Sequence, residues 1–260
     1  MDRLLEATAR AERDHFWFHG FRRFVTPLLD RAASGRRDLF TLDCGCGTGH
    51  NLKMLRRYGA AVGIDITYSG VKYAASRGDR KVAQASATDL PFDGEQFDLV
   101  TSFDVIYALP DELEKAAVAE MFRVLKPGGH LVLNVAALPW LRGNHSVLGG
   151  EVRRYTRGRL RWALERGGFR VERLTYTNLS ILPIVAGVRL SQRVLGHQES
   201  ATEISVPPAP VNTLLTGVLA LESMVLKVTN MPLGSSVLCL AKKPDQTGFS
   251  RKASFRLPSR

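Results

Sequence analysis

Cysteine is scarce in this chain, with three in 260 residues, and no two are spaced C-x-x-C. That spacing argues against a zinc site. Cys44 and Cys46 flank a glycine and Cys239 sits in a late apolar run, where small side chains fill tight space. Free thiols without a signal peptide fit a reducing cytoplasm, which is the expected compartment. Lysine is also rare, 9 against 27 arginines, in a net charge of +11. Six basic residues and one acid fall in 241–260, so this aperiodic tail supplies +5 of the +11 and reads as disordered. The remaining charge permits contact with anionic lipid or nucleic acid without demanding it. No run approaches the roughly 20 apolar residues of a spanning helix. No internal repeat is visible, and no Asn-Pro-Pro-Tyr-like motif for a flipped base, so nucleic acid is not an expected partner.

Apolar residues make up 45 % of the chain, enough for a full core. The chain is organised around Leu39–Asn51, LFTLDCGCGTGHN. An apolar strand ends in Asp43, a glycine turn follows through Gly45, Cys46, Gly47 and Gly49, and a helix begins near His50. Glycines belong where the backbone turns sharply and a ligand comes close. Dinucleotide folds space theirs G-x-G-x-x-G to seat a pyrophosphate on the helix end. Here the run is G-x-G-x-G with an acid before it, and a carboxylate at the strand tip suits a cationic ligand such as a sulfonium bearing an amino acid. A second strand ends in Asp65, 22 residues beyond Asp43, at the spacing of an acid that takes two ribose hydroxyls. Ile66 after it is placed to cover a purine face.

The run D-x-G-x-G-x-G after an apolar strand resembles the first motif of the class I S-adenosylmethionine (SAM) dependent methyltransferases, of the bacterial small-molecule type. Leu125-Lys126-Pro127-Gly128-Gly129 before an apolar strand resembles the family's helix, turn and fifth strand. The resemblance covers residues 38–178 closely and concerns cofactor and fold. It implies an α/β fold, a seven-stranded, mostly parallel Rossmann-like sheet with helices on both faces and an antiparallel last strand. It also implies SAM as cofactor and S-adenosylhomocysteine (SAH) as product. By the same resemblance Asp89, before Leu90-Pro91-Phe92, accepts from the adenine amino group, and Phe103 at the end of the fourth strand joins the cofactor set. Many relatives carry Glu-His where this chain has Tyr107-Ala108, so any role of that pair is absent.

The acceptor would lie beyond. A subset of bacterial relatives carries His-Asp, Gly-His and Arg-Arg-Tyr-Thr after the fifth strand. This chain keeps His145 and Arg153-Arg154-Tyr155-Thr156 but has Ser146 and Glu151 at the other positions. Candidate bases are therefore His145 and His15. Candidate acceptor contacts are Trp17, Tyr107, Arg153, as a carboxylate or phosphate clamp, and Tyr155. Residues 1–37 read as a helical cap, broken near Gly20 and Pro27. Residues 38–178 form the core, 235–241 the last strand and 242–260 the tail. Between them, 179–234 carries two apolar helical stretches around a proline-rich linker, a substrate lid or a surface that lies on a membrane. The function expected is methyl transfer to a small molecule: a secondary metabolite, a sugar or a lipid-linked intermediate. The alternative is a cyclisation or rearrangement on the same fold.

Overall fold

The computed structural model describes residues 9–142, 150–195 and 206–245, with the backbone alone at 189 and 192–195. Seven strands form one sheet: β1 Leu39–Cys44, β2 Gly59–Asp65, β3 Val82–Gln84, β4 Phe97–Phe103, β5 Leu125–Ala136, β6 Arg170–Thr177 and β7 Ser236–Lys242. The helices are α1 Phe16–Ala33, α2 His50–Leu55, α3 Tyr68–Ser76, α4 Asp111–Val124, α5 Arg157–Arg166, α6 Leu182–Leu195 and α7 Ala209–Val228. The strand order is β3-β2-β1-β4-β5-β7-β6. Neighbours are parallel from β3 to β5, and β7 runs antiparallel to both β5 and β6. The expected fold class is the one observed.

Helices cover both faces, so central strands are apolar throughout rather than alternating. In β1, Leu39, Leu42 and Cys44 are buried, and so are Thr41 and Asp43. The chain order reverses between β1 and β4, and a crevice opens at the carboxyl ends on either side of such a switch point.

The N-terminal break lies elsewhere than expected. Residues 9–14 are helical and the chain breaks at His15, while α1 runs unbroken through Gly20 and Pro27. The His15 ring caps α1, its Nδ1 accepting from the Trp17 amide at 3.1 Å. Asn212 of α7 holds the same break, accepting from Phe16 N and donating to Asp14 O, both at 2.8 Å. Gly20 is a contact point: a Cβ there would stand 2.4 Å from Leu219 Cδ1 of α7. The glycine that looked like a helix breaker lets two helices approach.

α7 also corrects the expectation about membrane-length segments. Among the described residues it is the one helix long and apolar enough to cross a membrane by length and composition. Here one side of it packs against the protein, with Leu219, Glu222, Ser223 and Leu226 buried. The buried Glu222 carboxylate accepts from the Leu179 and Ser180 amides at 2.9 and 2.8 Å, tying α7 to the link before α6. Arg173 of β6 closes its other end by donating to the carbonyls of Leu226 and Thr229.

Candidate functional site

The turn after β1 has the backbone that its glycines permit. Gly45, Gly47 and Gly49 have φ of 87°, 50° and 80°, the left-handed region that a side chain strains to enter. At Gly45 a Cβ would also come within 2.2 Å of Val105 Cγ2. The Gly45 and Cys46 amides donate to Ile64 O at 2.8 and 2.9 Å, which fixes the turn beside the end of β2. Cys46 is buried against Gly63, and burial pushes its thiol pKa far up, so it packs the turn.

Asp43 is fully buried. Its Oδ1 accepts from Thr101 Oγ1 at 2.7 Å, and its Oδ2 has no hydrogen-bond partner. Burial raises its pKa to about 7, against the Thr101 hydrogen bond, and the nearby Asp65 and Glu12 add to the rise. Asp65 spans the turn: Oδ2 accepts from Gly47 N at 2.8 Å, Oδ1 from Thr67 N and Thr67 Oγ1 at 2.8 and 2.6 Å.

A cleft of about 380 Å³ opens here. Its walls come from the ends of four strands: Gly45 after β1, Asp65 and Ile66 from β2, Ala85–Ala87 after β3, and Phe103, Asp104 and Val105 at β4, closed by Tyr107–Leu109. Ile66 is 69 % exposed, an apolar side chain standing at the mouth. Phe103 receives the edge of Phe21 at 5.0 Å, and Phe21 stacks on Trp17 at 5.6 Å. Trp17 thus backs the cleft wall through Phe21.

Several expected residues lie elsewhere. Asp89 is exposed and does not line the cleft, where Ser86 and Ala87 stand instead. Leu90 is buried, with its amide on Glu120 Oε2 and its carbonyl on Arg123. Arg153 pairs with Glu114 and Asp111 at the start of α4. Tyr155 is fully buried and its amide donates to Ala136 O at 2.8 Å. A charged side chain and a ring that look free in the sequence thus join α4 and β5. His15 is engaged as a helix cap, and burial depresses its pKa. His145 lies outside the described residues.

Asp104 was missed. It follows β4 with φ of 58°, a conformation costly for a side-chain-bearing residue. It is held there by Asn134 of β5, whose Nδ2 donates to Asp104 Oδ1 at 3.0 Å and whose carbonyl takes the Asp104 amide at 2.9 Å. Burial raises its pKa to about 7; Asn134 and Arg154 oppose the rise and Glu151 adds to it. Tyr107 lies beside it, its hydroxyl pKa also raised by burial and by Asp104. The signal was present: after Asp43 and Asp65, Asp104 is a further acid at a strand end.

A glycine turn after the first strand, an orphaned buried carboxylate oxygen and an acid after the second strand thus stand together at the carboxyl end of this α/β sheet. The methyltransferase-domain family matches residues 42–133. An uncharacterised protein of Methanocaldococcus jannaschii is 41 % identical over 97 residues, 37 % of each chain. A probable S-adenosylmethionine-dependent methyltransferase of Mycolicibacterium smegmatis is 28 % identical over 75 % of this chain and 73 % of its own. A demethylmenaquinone methyltransferase of Clavibacter sepedonicus is 35 % identical over 46 % of this chain and 47 % of its own. The match thus spans under half of some of these curated relatives. Among solved structures, a SAM-dependent methyltransferase of Thermotoga maritima superposes with TM-score 0.58 at 16 % identity, over 93 % of this chain and 98 % of its own. A [4+2]-cyclase superposes with TM-score 0.55 at 21 % identity, over 86 % and 81 %. Residues 42–133 thus match a methyltransferase-domain family, S-adenosylmethionine-dependent methyltransferases are among the relatives, and the fold is shared with solved methyltransferases over most of the chain.

The residues present fit the cofactor of that family. The orphaned Asp43 oxygen calls for a cationic or hydrogen-bonding partner, and the cleft volume is in the usual range for small-ligand sites, about 300–1,000 Å³.

Proposed function

We propose that this protein transfers a methyl group from SAM to a small, largely apolar molecule through a hydroxyl or an acidic carbon, with Asp104 accepting the proton. Asp104 carries the reading: it is a carboxyl at the cleft wall, fixed by Asn134, with a pKa near neutrality. A base is most effective when its pKa lies near the working pH. SAM, when bound, supplies a methyl on a positively charged sulfur, open to in-line attack. The chain's part is to position. Gly45, Asp65 and Ile66 would hold the nucleoside, Ser86 and Ala87 would flank its base, and Phe103 and Tyr107 would face the acceptor. Alignment of this kind lowers a barrier by up to ~7–11 kcal/mol.

An apolar acceptor is supported by the surroundings. Ile66 stands exposed at the mouth, and α6 and α7 show uncovered apolar side chains, including Ile184, Val188, Leu214 and Leu221. These faces support contact with a lipid surface from which such an acceptor is taken. Incubation with methyl-labelled SAM and a small-molecule lipid extract, followed by mass spectrometry, tests the reading. Label in an extracted compound supports it. A changed acceptor with all label still in SAM would instead indicate cyclisation or rearrangement on this fold.

A further inference from the structure

Glu12 lies in the helical segment before α1, 36 residues from Thr48 in sequence, yet its Oε2 accepts from Thr48 Oγ1 within the glycine turn. It is close enough to Asp43 to raise that residue's pKa. Arg22 of α1 holds the segment down, donating through Nη1 to Glu12 O at 2.8 Å. Three carboxylates, Glu12, Asp43 and Asp65, thus surround one turn, and Asp43 Oδ2, fully buried, has no partner. Burial pushes Glu12 and Asp43 towards their neutral forms, and like charges nearby push Asp43 further. A cation among them relieves both costs. The Thr48 hydroxyl fixes the direction of the Glu12 carboxylate, so the arrangement is a built seat and not a loose acid on the surface.

We propose that Glu12 and Asp43 together bind the α-ammonium group of the cofactor's amino-acid end, so that the segment 9–15 is a strap closing one end of the site. This rests on the methyltransferase reading and assigns to the strap a binding role. Glu12 is a ligand contact, and Arg22 is a positioning residue that acts through it. The groups facing Glu12 are Thr48, Asp43, Arg22 and Arg77.

Three probes separate the parts of the ligand: SAM, SAH and 5′-methylthioadenosine, which lacks the amino-acid end. Titration calorimetry on the full chain should show Glu12→Gln binding SAM and SAH on the order of tenfold more weakly, as for loss of a charge-assisted hydrogen bond, with 5′-methylthioadenosine unchanged. Glu12→Asp keeps the charge and should recover part of the loss, and it serves as the readout if Glu12→Gln unfolds. Thermal unfolding of each variant checks the fold. Unchanged SAM affinity, or an equal loss for all three ligands, overturns the strap. A wild-type protein that binds none of the three overturns the methyltransferase reading itself.

Discussion

Asp43 shows how a residue can cost stability and serve a site. Its ordinary pKa is near 3.8 and its folded value is about 7, because burial penalises the charged form more than Thr101 favours it. The folded state therefore holds a proton that the unfolded state has lost. Stability of the ligand-free protein should fall as pH rises from about 4 to about 7 and stay low above that. Asp104, raised in the same way, adds to the same slope. Asp43→Asn should stabilise the protein at pH 8 by an amount on the order of 1–4 kcal/mol, seen as a higher unfolding midpoint, and change it little at pH 4. The same change should weaken SAM binding. Calorimetric scans at the two pH values check the first claim; a variant no more stable at pH 8 would mean that Asp43 is not held near neutrality. Asp104→Asn belongs to the other half of the site. It should lower label transfer by roughly 100-fold or more while SAM affinity holds within a factor of about two. An unchanged rate would remove Asp104 as the base.

At the level of elements, β1, β2 and β4 were readable because each is an apolar run with an acid at its end, and those ends set Asp43 and Asp65 beside one glycine turn. The N-terminal helix was misread for a physical reason. Gly20 and Pro27 lower local helix propensity, but propensity yields where packing decides, and here α7 packs along α1 with Leu219 over Gly20. The true break carries a quieter signal, a histidine acting as an N-cap. The partners of Arg153 and Tyr155 were illegible for the same cause, since nothing near them in sequence announces Glu114, Asp111 or the Ala136 carbonyl. Asp89 sits beside a legible turn, yet one short loop decides whether it or Ser86 meets the cleft. Gly20→Ala should push α1 away from Leu219 and destabilise the protein by about 1–3 kcal/mol, the usual range for overpacking. Leu219→Ala in the same chain should recover part of that loss, and urea unfolding of the two variants measures it. Additive losses would show that the two residues do not meet.

For the whole molecule, the question is what the outer side of α7 faces. Its inner side is fully used, on α1 and at Glu222. Its outer side carries Val211, Leu214, Leu221, Met224, Val225 and Val228, between 47 and 86 % exposed. Val211, Leu214, Val218, Leu221, Val225 and Val228 recur every three or four residues, which makes one stripe along the helix. Lys227 is the sole exposed charge on α7. A stripe of this kind on a strongly basic chain fits an interfacial helix, with its apolar side in the lipid boundary and basic residues drawn to anionic headgroups. Such contact would bring the cleft to an acceptor dissolved in lipid, which no soluble lid would require. Leu214→Ser, Leu221→Ser and Val228→Ser together should leave the unfolding midpoint nearly unchanged, because these side chains are already solvated. They should abolish co-sedimentation with vesicles rich in phosphatidylserine, while the unaltered protein binds those vesicles and binds phosphatidylcholine vesicles weakly. If the unaltered protein ignores both vesicle types, the lipid surface is ruled out and the acceptor must reach the cleft from solution.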